Sequence, residues 1–137
     1  MAERILTNLL KRHGIRDVAV SSAGLLDMKG ATADTTARRI LQENGIDDEG
    51  HHSQILNEEK IREADLIVAM ERIQLQRIGS LYPDAIPKIR VLKSYLPDTG
   101  SVGTDENVQD PYRRSIFHYR LCFAEISLAM GEMIKCI

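Results

Sequence analysis

Residues 65–70 read Asp-Leu-Ile-Val-Ala-Met, an almost unbroken apolar run of strand length. A strand that is apolar on both of its faces is typical of a parallel sheet covered by helices on both sides. A second strand pattern, Lys-Ile-Arg-Val-Leu, follows at residues 88–92. Helical patterns alternate with these runs along the chain. This alternation predicts an α/β fold with a doubly wound, mostly parallel sheet flanked by helices.

Amphipathic periodicity, capping residues and glycines place the remaining elements. A third strand is predicted at Val18-Ala-Val20, which is one strand fewer than we expect for a parallel sheet with helices on both faces. The whole chain, residues 1–137, is expected to form a single domain. Helices are predicted at residues 1–13, 34–44, 57–63, 71–80 and 116–134.

Composition excludes several classes of function. The net charge of -2 and the pI near 6.1 provide no electrostatic surface for nucleic acid or for a membrane. No apolar run approaches the roughly 20 residues of a membrane span, and the polar opening Met1-Ala-Glu-Arg does not resemble a secretory signal. These observations predict a soluble, cytoplasmic protein.

The cysteine and histidine positions indicate neither a disulfide nor a metal site. Cys122 and Cys136 lie along one predicted helix, where a rise of ~1.5 Å per residue separates them by about 21 Å. A disulfide needs Cα atoms within about 7 Å. His51 and His52 are adjacent and would point to opposite sides of an extended chain. We expect two reduced cysteines, no metal and no cofactor.

The loops that follow the carboxyl ends of the strands are where an open α/β sheet binds its ligands. Ser21-Ser22-Ala23-Gly24 follows the first predicted strand, and Asp110-Pro111-Tyr112 precedes the last helix. An aspartate in such a loop can be a general acid, or it can be a turn residue before proline. From the residues alone, both interpretations stay open.

Short motifs follow one another in order along nearly the whole chain. They are Ser22-Ala23-Gly24, Gly30 with Asp34, Gly45-Ile46-Asp47, Gly50-His51, Ala64-Asp65-Leu66-Ile67 with Met70, and Asp110-Pro111-Tyr112. This ordered set resembles the bacterial low-molecular-weight protein tyrosine phosphatases, and the Asp-Pro-Tyr before the last helix is the most specific motif in it.

The resemblance implies a hydrolase that acts on phosphotyrosine-containing proteins or aryl phosphates through a phosphocysteine intermediate, without a cofactor. It implies that Asp110 is the general acid/base. Tyr112 and Met28 are implied to line the substrate slot, Met28 standing where the family has an aromatic residue. Ser22 and His51 are implied to support the phosphate loop by hydrogen bonds.

Met1-Ala2-Glu3 resembles the segment that follows the family's phosphate loop, Cys-x5-Arg-Ser-Pro, which itself follows the first, central strand. Residues 1–137 contain neither that strand nor that loop, so the nucleophilic cysteine and the phosphate-binding arginine are missing. We therefore expect this polypeptide to be inactive. We also expect the neighbours of the missing strand to have exposed edges through which the protein can self-associate.

Several alternatives remain open. The sequence can be part of a longer, active phosphatase whose start lies upstream, or a non-catalytic pseudo-phosphatase that binds or regulates a partner, or an unrelated doubly wound module. An arsenate reductase-like branch is disfavoured because residues 94–103 lack the additional cysteines that such enzymes use. Arg113 and Gln54 stand where the family has an aromatic residue and an arginine, so the peptide preference is left open.

Overall fold

The computed structural model describes residues 1–25, 34–47, 54–97 and 106–137. Helices and two short strands alternate along the chain, and the parallel sheet is flanked by helices, which confirms the predicted α/β class. The elements are α1 (Ala2–Arg12), α2 (Thr35–Glu43), α3 (Glu58–Glu63), β1 (Ile67–Ala69), α4 (Arg72–Leu81), β2 (Ile89–Val91) and α5 (Ile116–Ile134), with 3-10 turns at Pro83–Lys88 and Leu92–Tyr95.

The helices form where the sequence predicted them. α1 begins directly after Met1 without a side-chain cap and buries Ile5 and Leu10. Gly14 follows with φ +70°, a left-handed conformation that glycine adopts without a steric penalty. The side chain of Asn57 caps α3 by accepting a hydrogen bond from the backbone N–H of Lys60 at 2.9 Å.

β1 and β2 pair in parallel and confirm the two strands predicted from the apolar runs. Ile67 lies opposite Ile89, and Ala69 lies opposite Val91. Two residues separate the end of β1 from the start of α4, and a reciprocal capping box between Glu71 and Gln74 fixes the first turn of α4. The carboxyl end of β1 is thereby held in a defined position.

The strand predicted at Val18-Ala-Val20 was wrong. Val18 and Val20 are half-buried and Ala19 is exposed, which is the alternation of a strand, but no ladder forms there within the described residues. A strand is completed only by a neighbour, and the side-chain pattern alone cannot supply one. A few residues further along the chain, Gly24 forms an isolated parallel bridge with Ile55.

The main hydrophobic core lies where α5 packs against α1 and the 3-10 turn at Leu92–Tyr95. Ile5, Leu41, Leu92 and Met133 are almost completely buried there. Cys122 is buried in α5 and Cys136 is exposed just beyond it, and both are free thiols. Within the described ranges, no helix is long and apolar enough to cross a membrane.

Candidate active site

A tight turn directly before α5 carries Asp110. Its Oδ1 accepts a hydrogen bond from the backbone N–H of Tyr112 at 3.0 Å, so the aspartate closes an Asx turn on its own backbone. The N–H of Arg114 donates to the carbonyl of Pro111 at 2.8 Å. Arg113 between them adopts φ +64°. The exposed carboxylate of Asp110 is therefore fixed by its own turn, at the amino end of a long helix.

The segment leading into this turn is tied to the end of β1. The buried Val108 donates its N–H to the carbonyl of Met70 at 2.8 Å. Asn107 Oδ1 accepts the N–H of Arg72, the first residue of α4, at 2.8 Å. Asp110 consequently lies beyond the carboxyl end of β1, the position at which open α/β sheets bind ligands.

A cavity of about 200 Å³ opens beside Asp110. Its walls come from the start of α1, the start of α2, the Asx turn and the first half of α5. The lining residues are Met1, Asp34, Ala37, Asp110, Pro111, Tyr112, Tyr119 and Cys122. Asp110 and Tyr112, two of the residues singled out from the sequence, therefore meet at one site together with the first turn of α1.

Tyr119 and Asp34 form a polar pair in the wall of this cavity. Tyr119 is only 4% exposed, and its side chain lies close to the Asp34 carboxylate. Burial, followed by the interaction of the hydroxyl with the Asp34 carboxylate, raises the pKa of Tyr119 to about 12. The Oδ2 atom of Asp34 is buried without a hydrogen-bond partner in the described part of the chain. The pair therefore forms a polar part of the cavity wall.

Sequence reasoning missed this pair as part of the site. In the sequence, Asp34 is identified only as part of a family motif, and Tyr119 is not identified as a site residue. The sequence does place both residues at the starts of predicted helices, since Asp34 stands immediately before α2 and Tyr119 lies in the first turn of α5. Only the packing of α2 against α5 brings the two side chains together.

Cys122, which also lines the cavity, is a thiol rather than a nucleophile. Burial, followed by the charge of Glu125, raises the pKa of Cys122 to about 11. At pH 7 only roughly one molecule in ten thousand then carries the thiolate, the form that attacks electrophiles. The cavity is accordingly lined by two aspartate side chains, Asp34 and Asp110, and by a cysteine that is protonated at neutral pH.

The raised pKa values of Tyr119 and Cys122 predict a loss of stability in alkali. Both pKa values lie above the ordinary values of 10.0 for tyrosine and 9.0 for cysteine, so the unfolded chain releases these protons at lower pH than the folded chain does. Their contribution is fully present below pH 9 and declines as the pH rises towards 11 and 12. Urea unfolding at a series of pH values should show this slope.

The matched variants for this measurement are Tyr119→Phe and Cys122→Ala, with Tyr112→Phe at an exposed position as the control. Each of the first two should flatten the decline above pH 9, even where it lowers stability at neutral pH. Tyr112→Phe should leave the slope unchanged. An unaltered slope in both buried variants would contradict the assignment.

Ser22 lies at the first turn of α1 rather than in the cavity wall. Its hydroxyl donates to the Glu3 carboxylate, and its carbonyl accepts from Gln54 Nε2 at 2.8 Å. Ser22 thus joins the loop after residues 18–20 to the beginning of α1. Met28 and His51, the other residues singled out from the sequence, lie outside the described residues.

A second cavity of about 220 Å³ adjoins the first and shares Asp110, Pro111 and Cys122 with it. It runs along α5, where Lys93 Nζ lies 3.7 Å from Glu125 Oε1. Asp110 therefore stands on the ridge between two cavities. The remaining lining residues are Asn107, Gln109, Arg114, His118 and Leu121.

Comparison with known proteins supplies the context for this geometry. A sequence model described as "Low molecular weight phosphotyrosine protein phosphatase" matches residues 1–137. The low molecular weight protein-tyrosine-phosphatase Etp of Escherichia coli K12 is 28% identical over 126 residues, which are 92% of this chain and 80% of Etp. The protein-arginine-phosphatase of Geobacillus stearothermophilus is 31% identical over 127 residues, which are 93% of this chain and 82% of that enzyme.

Solved structures agree with the sequence matches. The low molecular weight protein tyrosine phosphatase from T. tengcongensis superposes with a TM-score of 0.87 at 31% identity. The superposition covers 99% of this chain and 88% of that protein. The arrangement of helices around the parallel sheet is therefore shared along nearly the whole chain.

Proposed function

The chain belongs to the low molecular weight phosphotyrosine protein phosphatase family, and from this premise we propose that Asp110 is the general acid/base of phosphomonoester hydrolysis. A thiolate of a Cys-x5-Arg loop would attack phosphorus and form an S–P bond while the P–O bond to the leaving group breaks. Asp110 would protonate that leaving oxygen. It would then take a proton from the water that hydrolyses the phosphocysteine.

The observation that carries this proposal is the place of Asp110 on the wall of the cavity that includes Tyr112 and the start of α1. A general acid must come within hydrogen-bond reach of the oxygen that it protonates. In the proposed complex the phosphoryl group would lie at the amino end of α1, where the helix dipole favours negative charge. The leaving group would lie between Asp110 and Tyr112.

The nucleophile is the part that these residues do not provide. Residues 1–137 contain two cysteines, and neither is followed by an arginine at the Cys-x5-Arg spacing. Cys122 has a raised pKa, and Cys136 is exposed beyond the end of α5 and does not line either cavity. The proposal therefore assigns acid/base catalysis and part of the substrate slot to this chain, and nucleophilic attack to a loop outside it.

A non-catalytic binding module is the alternative, and the same absence of a Cys-x5-Arg sequence within residues 1–137 favours it. The two functions differ in what they require of Asp110. Catalysis needs its titratable carboxylate, whereas binding of a negatively charged phosphoryl group would gain nothing from a second negative charge. Phosphotyrosine peptide binding that improves in Asp110→Asn, without turnover in any form of the protein, would support the binding module.

Substitution of Tyr112 tests whether this residue lines the substrate slot. The test uses a loop-bearing chain, defined as this sequence preceded by a strand and a Cys-x5-Arg-Ser-Pro loop. Tyr112 is 52% exposed, so its ring can stack against an aromatic leaving group. The Arg113 guanidinium lies 5.2 Å from the centroid of this ring. Tyr112→Ala should raise KM for a phosphotyrosine peptide about tenfold, with a smaller change in kcat.

Steady-state kinetics on phosphotyrosine and phosphoarginine peptides would measure this effect and the substrate class together. The control is Tyr82→Phe, a substitution at a half-buried tyrosine that does not line either cavity. A loop-bearing chain that is folded by circular dichroism but releases phosphate from neither peptide would overturn the proposed function.

Self-association through the sheet edge stays a prediction. β1 has one partner strand among the described residues, β2, and Leu66 beside it is 39% exposed. A strand edge with unpaired backbone groups can pair with another copy. Sedimentation of a variant that disrupts a different surface would separate association through this edge from association elsewhere.

A further inference from the structure

The outer face of α5 carries a line of exposed apolar side chains, which we call the α5 stripe: Phe117, Leu121, Ala124 and Leu128. Phe117 is 67% exposed, Leu121 47% and Leu128 63%, and Ala124 is also exposed. At 3.6 residues per turn, the four positions fall within an arc of about 60°. The opposite face of α5 is already buried in the core. A helix that is apolar on a second side is typical of a contact surface.

The spacing within the α5 stripe reads the same in both directions: four residues, three, then four. We propose that two copies of this chain associate through the α5 stripe, with their α5 helices antiparallel about a twofold axis that crosses the stripe midway between Leu121 and Ala124. This register places Phe117 opposite Leu128 of the second copy, and Leu121 opposite Ala124. A large side chain then meets a small one at the centre, and each contact occurs twice, as a twofold interface requires.

Charge at the two ends of α5 favours the antiparallel orientation. Arg113 and Arg114 are exposed immediately before the helix, and Glu132 lies in its last turn. Antiparallel pairing brings the arginine end of one copy beside the glutamate end of the other, whereas parallel pairing would place like charges and like helix dipoles together. Glu132 also contacts Lys135 at 3.0 Å, so this charge term is small and the apolar contacts provide most of the affinity.

The small size of the α5 stripe sets the expected strength. Stable interfaces bury about 800 Å² per partner with roughly 20–30 residues on each side. Four apolar side chains and their flanking charges fall below this size. We expect a dimer that dissociates in the micromolar range or above, and that therefore depends on protein concentration.

Sedimentation equilibrium across the micromolar range tests the proposal with a matched pair of variants. Leu128→Glu places a charge in the α5 stripe and should raise the dimer dissociation constant at least about tenfold. Leu81→Glu makes the same change at the end of α4, where the leucine is 69% exposed, and should leave the constant unchanged. Far-UV circular dichroism of both variants verifies that they are folded.

Cysteine cross-linking tests the register. Two variants, Leu121→Cys and Ala124→Cys, are made in a Cys136→Ser background, distinguished by mass, mixed and oxidised. The antiparallel register predicts that the mixed disulfide dominates, because positions 121 and 124 face each other across the axis. Equal or greater amounts of the two symmetric disulfides would contradict it.

Other outcomes of the sedimentation experiment overturn the proposal. A chain that remains monomeric throughout the concentration range excludes association through the α5 stripe. A dimer that persists unchanged in Leu128→Glu assigns self-association to another surface, such as the edge of β1. Neither result bears on the proposed role of Asp110, which is tested by kinetics.

Discussion

The polypeptide of residues 1–137 is expected to hydrolyse para-nitrophenyl phosphate no faster than buffer does. The proposed mechanism needs a thiolate at the phosphoryl group, and neither cysteine of the chain supplies one, since Cys122 has a pKa raised to about 11 and Cys136 is remote from the cavity. General acid catalysis contributes about 10²–10⁴-fold, whereas loss of the nucleophile from subtilisin costs about 10⁶ in kcat. Asp110 therefore cannot compensate for a missing cysteine.

The matched measurement compares three proteins under the same conditions: the 137-residue chain, the loop-bearing chain, and the loop-bearing chain with its loop cysteine replaced by serine. Only the second should release para-nitrophenol, at a rate about 10⁶-fold above the third. Turnover by the 137-residue chain that survives Cys122→Ser and Cys136→Ser together would require a different mechanism. Turnover abolished by either substitution would identify a nucleophile that the pKa argument has missed.

The helices and the two paired strands could be predicted because local physics determines them. The apolar run at 65–70, the cap at Asn57 and the breaker at Gly14 each act within a few residues of chain. The prediction of a strand at 18–20 failed because a strand also needs a neighbour to complete its hydrogen bonds, and local sequence does not show whether one is present. The alternation of its side chains persists in the structure, and the ladder does not form within the described residues.

The residues of the candidate site also fall into two groups, those found from local sequence and those found only from the packing. Asp110 and Tyr112 could be found because they belong to a short motif directly before a predicted helix, which the sequence alone shows. The Tyr119–Asp34 pair and the raised pKa of Cys122 could not, because they depend on how α2 and α5 pack and on how deeply each group is buried. The α5 stripe combines both kinds of evidence. Its spacing can be seen in the sequence, but only the fold shows that this face of the helix is exposed.

In the loop-bearing chain, Asp110→Asn is expected to lower kcat for a phosphotyrosine peptide by about 10²–10⁴-fold, with little change in KM. Asparagine retains a side-chain oxygen that can accept the N–H of Tyr112, so the Asx turn at 3.0 Å should persist while the transferable proton is lost. The loss should be smaller for para-nitrophenyl phosphate, because its leaving group is less basic and needs less protonation.

The matched control is Asp34→Asn, which removes the second carboxylate of the same cavity. Asp34 lies beside the buried Tyr119 and has no assigned proton to transfer, so kcat should fall much less than in Asp110→Asn. The pH–rate profile gives a second readout. The limb that reports a group which must be protonated should disappear in Asp110→Asn and persist in Asp34→Asn. If Asp34→Asn abolished that limb and Asp110→Asn retained it, the acid would be Asp34, and Asp110 would be left as the residue that closes the turn before α5.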